Sequence, residues 1–176
     1  MAERRDFIDL DALAEVVEEG VRERTLVGGV RYYGFVDAAS GSGKDAFAVG
    51  IAHRDGERDV LDVCQAWGPP FNPSGVIEEA AELFKRFRVH EARGDKYAPG
   101  FVAEGFGANG ITYRPSKRTT SETYVELLPL INSRAVVLLD QPALLRELRS
   151  LEIRGVEPHL GIHDDDVKAA TEALNL

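Results

Sequence analysis

Cysteine is almost missing from this chain: Cys64 is the only one. A lone thiol excludes an internal disulfide and any cysteine-based zinc site. Its expected place is a strand, as a small hydrophobe. Long apolar runs are missing too. None approaches the roughly 20 residues of a membrane span, and the opening Met1-Ala2-Glu3-Arg4-Arg5-Asp6 leads into no signal-type apolar core. The expectation is a cytoplasmic protein with no membrane partner. Positive charge is in deficit, with 21 basic against 30 acidic residues and a net charge of −9. That balance argues against gripping nucleic acid by bulk charge alone. It leaves room for an enzyme whose acids are neutralised by metal ions that also contact a phosphate.

What is there is enough for one domain with a substantial core: 176 residues, 44% hydrophobic and 29% charged. The most informative stretch is residues 31–53. Tyr32, Tyr33, Phe35 and Val36 are aromatic or β-branched, as a buried strand wants, and the run ends on a carboxylate, Asp37. A charge where an apolar strand stops is costly unless it meets solvent, a partner or a metal. An Asp before a Gly/Ser turn is also a common turn former. Ser40-Gly41-Ser42-Gly43 lets the backbone turn, and Phe47 to Ala52 carries it back as a second strand. Gly43-Lys44 is not a phosphate-binding P-loop. That motif needs a Gly five residues earlier and a Ser or Thr after the Lys, and here Ala38 and Asp45 stand there.

In chain order, residues 10–21 read as a short amphipathic helix, a lead-in outside the core. Asp55-Gly56 signals a hairpin turn into a third strand, Val60 to Trp67. Pro73 to Phe87 is a helix with Pro73 in its first turn. A short strand ends at Gly94-Asp95. Further elements are a helix over 97–106, a short strand over 111–113, a helix over 119–131, a strand over 135–139, a helix over 141–151, a loop over 156–162 and a closing helix over 164–174. A three-strand meander followed by helix–strand alternation predicts an α/β fold: a mixed sheet with helices on both faces. Asp37 and Asp95 would then project from the carboxyl ends of parallel strands, where open α/β sheets place their sites. Three strands, a crossover helix and acid-tipped strands are also the plan of a ribonuclease H-like nuclease.

These acids suit phosphodiester hydrolysis. The reaction needs an activated water and a shield for charge on the leaving oxygen, and two magnesium-type ions can supply both. Hard cations prefer oxygen ligands, so clustered Asp side chains are the right chemistry. Asp37 could bridge both ions, with Asp95 and one acid of the run Asp164-Asp165-Asp166 completing the site. That run opens a helix, where Asp is also an ordinary cap; both roles stay open. His163 could orient an acid or a water, and Asp45 could lie near the site. Either residue could instead be an ordinary loop group. Lys44, Lys96, Arg114, Lys117 and Arg118 could face a DNA backbone or be solvated charges.

From about residue 31 to residue 174 the sequence resembles the C-terminal nuclease domain of the large terminase subunit of tailed bacteriophages and prophages. The matching stretches, in order, are Tyr33-Gly34-Phe35-Val36-Asp37, Ser40 to Gly43, Ile51-Ala52-His53, Gly94 to Ala98, Gly110 to Ser116, Ser121 to Ser133 and His163-Asp164-Asp165. The resemblance implies a ribonuclease H-like fold and an endonuclease using two divalent ions, Mg²⁺ or Mn²⁺. Its implied work is cutting concatemeric viral DNA during packaging. The implied ligands are Asp37, Asp95 and the Asp164/Asp165 pair. Implied partners are double-stranded DNA, the packaging ATPase, the small terminase subunit and the portal. Residues 1–29 would be linker and 30–176 the nuclease domain, the ATPase lying outside this sequence. Asp166 stands where that family usually has an apolar residue, and residues 154–160 are short where it carries a basic hairpin. Two other readings share features of this one. A junction resolvase or transposase-like enzyme of the same fold would use the same acids, and a non-catalytic packaging module would have lost them.

Overall fold

The computed structural model describes residues 5–96, 98–154 and 157–159. The elements in chain order are β1 (Arg5–Asp6), α1 (Leu10–Val16), β2 (Val17–Glu18), β3 (Tyr32–Asp37), β4 (Phe47–Asp55) and β5 (Arg58–Trp67). They continue with α2 (Pro73–Arg86), β6 (Glu91–Gly94), α3 (Gly100–Ala108), β7 (Thr112–Pro115), α4 (Thr120–Asn132), β8 (Val136–Leu139), α5 (Pro142–Arg149), β9 (Glu152–Arg154) and β10 (Glu157–His159). Seven strands form one mixed sheet in the order β2-β8-β5-β4-β3-β6-β7. The meander β3-β4-β5 is antiparallel, while β3–β6, β6–β7 and β5–β8 are parallel. The expected mixed α/β sheet with helices on both faces is thus what the chain forms.

Period-two alternation splits the core into two layers. On one face Tyr32, Val36, Val49 and Ile51 pack under α2 and α3, which contribute Ile77, Phe84, Val102 and Phe106. On the other, Phe35, Ala48, Leu61 and Cys64 pack under α1, α4 and α5. Gly34 permits a close approach: a Cβ there would stand 2.7 Å from the Phe84 ring. Cys64 is buried in β5, as a small hydrophobe should be.

Three expectations need correction. The first helix stops at Val16, not Val21, because Val17 and Glu18 pair in parallel with Leu138 and Leu139. This region is not a lead-in outside the core: Phe7, Ile8, Leu13 and Val16 are buried in it. The loop expected over 156–162 is in part a strand, since β10 pairs with β9, and β9 with β1, in a second small sheet. Pro158 is tolerated because β10 is an edge strand. The closing helix expected over 164–174 lies outside the described residues.

A bulge in β5 supports the end of the sheet where β3 begins. Ile51 pairs with Val63 and Ala52 with Leu61, so Asp62 is the extra residue. The bulge turns its carboxylate onto His53 Nδ1, 2.7 Å away, and the Arg24 N–H donates to its carbonyl at 2.8 Å. Burial pushes the Asp62 carboxyl up; His53 and Arg24 pull it back down.

Candidate metal centre and cationic cleft

Asp37 is the last residue of β3 and is buried, opposite Ala48 of β4. Asp95 follows the last residue of β6 and is half-buried. The β3–β6 register pairs Val36 with Gly94, and Asp37 and Asp95 are the residues that follow that pair at the carboxyl ends of the two strands. Neighbouring strands run about 4.8 Å apart, so the two acidic residues leave the sheet at the same end of adjacent strands. Two such groups repel when both are ionised, and a divalent cation removes that cost while using oxygen donors it prefers. The donor set therefore fits a hard metal ion.

The backbone under Asp95 is held from three directions. The Tyr113 hydroxyl donates to the Asp95 carbonyl at 3.0 Å and the Ala98 N–H to the same oxygen at 3.1 Å. The Ser116 N–H donates to the Gly94 carbonyl at 2.7 Å. Gly94 is obligatory for this packing, because a Cβ would run into the Tyr113 hydroxyl. Tyr113 and Gly94 are supports that sequence reading did not single out, although both fall in stretches that carried the family resemblance.

The other expected site residues scatter. Asp45 and Lys44 are exposed on the segment leading into β4, at the same end of the sheet as Asp37. Lys96 is exposed directly after Asp95. His163, Asp164, Asp165 and Asp166 lie outside the described residues. Among the described residues, no three His, Cys, Asp or Glu side chains group as a metal-binding set. Arg114, Lys117 and Arg118 all line one cleft of about 1080 Å³. Arg114 is paired with Glu91 at 2.6 Å and Arg118 with Glu126 at 3.1 Å. The cleft also takes in Arg31, Arg88 and Arg93, which sequence reading passed over, and Tyr33, which it read as part of a buried strand but which is exposed. The signal was the alternation Glu91-Ala92-Arg93-Gly94, exposed and buried by turns, which puts Arg93 on one face with Phe35.

No protein-family model matches the sequence, and no curated protein matches it. Solved structures do. The large terminase nuclease from thermophilic phage G20c with bound magnesium superposes with a TM-score of 0.76 at 16% identity, over 93% of this chain and 94% of that one. The HK97 bacteriophage large terminase aligns with a TM-score of 0.75 at 13% identity, over 98% of this chain and 43% of that one. The P22 large terminase nuclease domain gives 0.68 at 10% identity, over 96% and 88%. The G20c nuclease also appears with cobalt and with zinc. The fold is that of large terminase nuclease domains, as the resemblance in the sequence implied, and at these identities it is the fold that is established.

Proposed function

We propose that this chain is a divalent-metal-dependent DNA endonuclease of the terminase type, cutting concatemeric viral DNA at packaging. One observation supports the reading: the parallel β3–β6 register pairs Val36 with Gly94, so that Asp37 and Asp95 each come next in the chain at the carboxyl ends of adjacent strands, in the fold that terminase nucleases share. Asp37 and Asp95 would hold Mg²⁺ or Mn²⁺, with an acid of residues 164–166 completing a two-ion site. When bound, the ions would activate a water and shield charge on the leaving oxygen. The chain's own part is to orient those ligands. β3 delivers Asp37 from a buried strand, and Tyr113 and Ser116 fix the backbone that presents Asp95. A packaging ATPase, the small subunit and the portal would be its partners in a host cytoplasm. Among the described residues no helix is long and apolar enough to cross a membrane.

The test is nicking of supercoiled plasmid in Mg²⁺ or Mn²⁺ against EDTA. Metal-dependent conversion to nicked and linear forms is expected. An inert plasmid in both metals would reject the endonuclease and leave the non-catalytic packaging module.

A further inference from the structure

The cleft is more basic than the chain that carries it. The whole sequence has 21 basic and 30 acidic residues, yet six cations (Arg31, Arg88, Arg93, Arg114, Lys117 and Arg118) line the cleft with one acid, Glu91. Charge of one sign gathered in a concave site, on a protein of the opposite net sign, is the footprint of a polyanion. The cleft's floor is the β3–β6–β7 end of the sheet. There α2 and α3 cover the opposite face. On the cleft side, among the described residues, Arg93 and Arg114 remain exposed. Strand alternation puts Tyr33, Phe35 and Asp37 on one face of β3 and Arg93 on the same face of β6, with Asp95 two residues further along the chain, just past the strand end. The cleft thus runs along the strands toward the two acids, and Ser116, at its far end, is tied to Gly94 beside them.

Within the cleft Tyr33 is 36% exposed, large for an aromatic ring on a sheet. The Arg31 guanidinium lies over the ring, 5.1 Å from its centroid. An aromatic ring and a guanidinium plane, flanked by further cations, is the surface on which unpaired bases stack while the backbone is neutralised. A duplex offers no free base face to such a platform, because its bases are stacked on one another. We infer that the cleft binds an unpaired DNA strand. Bases stack at Arg31–Tyr33, and phosphates are held by Arg93, Lys117 and their neighbours on the way to Asp37 and Asp95. In the nuclease reading, on which the purpose of this track rests, the occupant is a frayed or cut strand end at the cleavage point.

Binding is testable without cleavage. Fluorescence anisotropy of a labelled oligo-dT with the full chain in EDTA, beside a duplex of equal length, reads the cleft alone. Tyr33→Ala should weaken oligo-dT binding roughly 5- to 150-fold, the equivalent of losing one stacked base. It should leave duplex binding within about twofold, and Tyr33→Phe should restore the single-strand affinity. Arg93→Gln should flatten the salt dependence of oligo-dT binding by about 0.7 in log–log slope, one phosphate contact on a single strand. An unchanged Tyr33→Ala affinity, or equal losses for single strand and duplex, overturns the proposal. So does binding that appears only when Asp164, Asp165 and Asp166 are all changed to Asn, which would make the chain's own acid run the occupant. A plasmid left uncut in the nicking assay with this binding intact would sink the nuclease reading alone.

Discussion

Asp37 joins two demands in one residue: the end of an apolar strand and a carboxylate buried there. Asp37→Asn keeps the shape and removes the charge. Nicking should fall more than about 100-fold, beyond the loss seen when mere supporting groups of a metal site are changed. The melting temperature should hold or rise, since one of two repelling acids is gone. Near-wild-type nicking by this variant would take Asp37 out of the site. Gly94 acts on the same place through shape. In Gly94→Ala the new methyl must displace Tyr113, which is hydrogen-bonded to the Asp95 carbonyl. A loss of about 1–3 kcal/mol in urea unfolding is expected, with reduced nicking from a shifted Asp95. Unaltered stability would show that Tyr113 is free to move aside.

Among the elements, α4 carries the best-defined start. Thr119 is its N-cap, accepting from the Glu122 N–H at 3.2 Å, while Glu122 accepts from the Thr119 N–H at 2.7 Å. These bonds to the Thr119 backbone and side chain hold the Glu122 carboxyl below its usual range. The fold therefore prefers Glu122 ionised. That preference contributes fully above the carboxyl's unfolded value and is lost as pH falls through its lower folded one. Thr119→Ala should cost roughly 1 kcal/mol at neutral pH, and for Glu122→Gln, which removes the charge that the Thr119 N–H meets, the gap to wild type should narrow on acidification. A gap that stays constant down to the acid limb would show that the reciprocal bond to Glu122 is idle in solution. The helix matters because its Tyr124, Leu127 and Ile131 close the core layer that backs Phe35 of β3.

At the scale of the whole molecule, the proposed metal site would make the native state a better metal binder than the unfolded chain. A free metal concentration of about ten times Kd should stabilise by about 1.4 kcal/mol, which for a chain of this size is about 3–6 °C in melting temperature. No shift in millimolar Mg²⁺ or Mn²⁺ would count against a preformed site. A chain of net charge −9, with six of its 21 basic residues lining one cleft, should bind duplex DNA weakly and without sequence preference, losing affinity steeply with salt. Adding an ATPase domain that holds the DNA, most simply by fusion to the N-terminus, should raise cleavage through effective concentration. Tight, salt-resistant duplex binding with a defined cut sequence would favour a resolvase-like enzyme instead.

Local pattern alone determined much of this protein. Alternating aromatic and β-branched residues, Asp-Gly and Gly-Ser turns and the Pro73 helix start are short-range signals, and the strands and helices they mark stand within a few residues of where they were expected. The order of those elements was enough for a mixed sheet with Asp37 and Asp95 on parallel strand ends. Tertiary structure decided what depends on partners distant in the chain. The first helix yields to a strand at Val17 because β8, some 120 residues on, offers a free edge. β9 and β10 are short sequences that become strands only by pairing with each other and with Arg5–Asp6. The cleft is the clearest case. Arg31, Arg88, Arg93 and Arg114 look like scattered solvated charges along an acidic chain, and only the register of β3, β6 and β7 turns them onto one surface. Charge is legible in sequence residue by residue, whereas its concentration is a property of the fold.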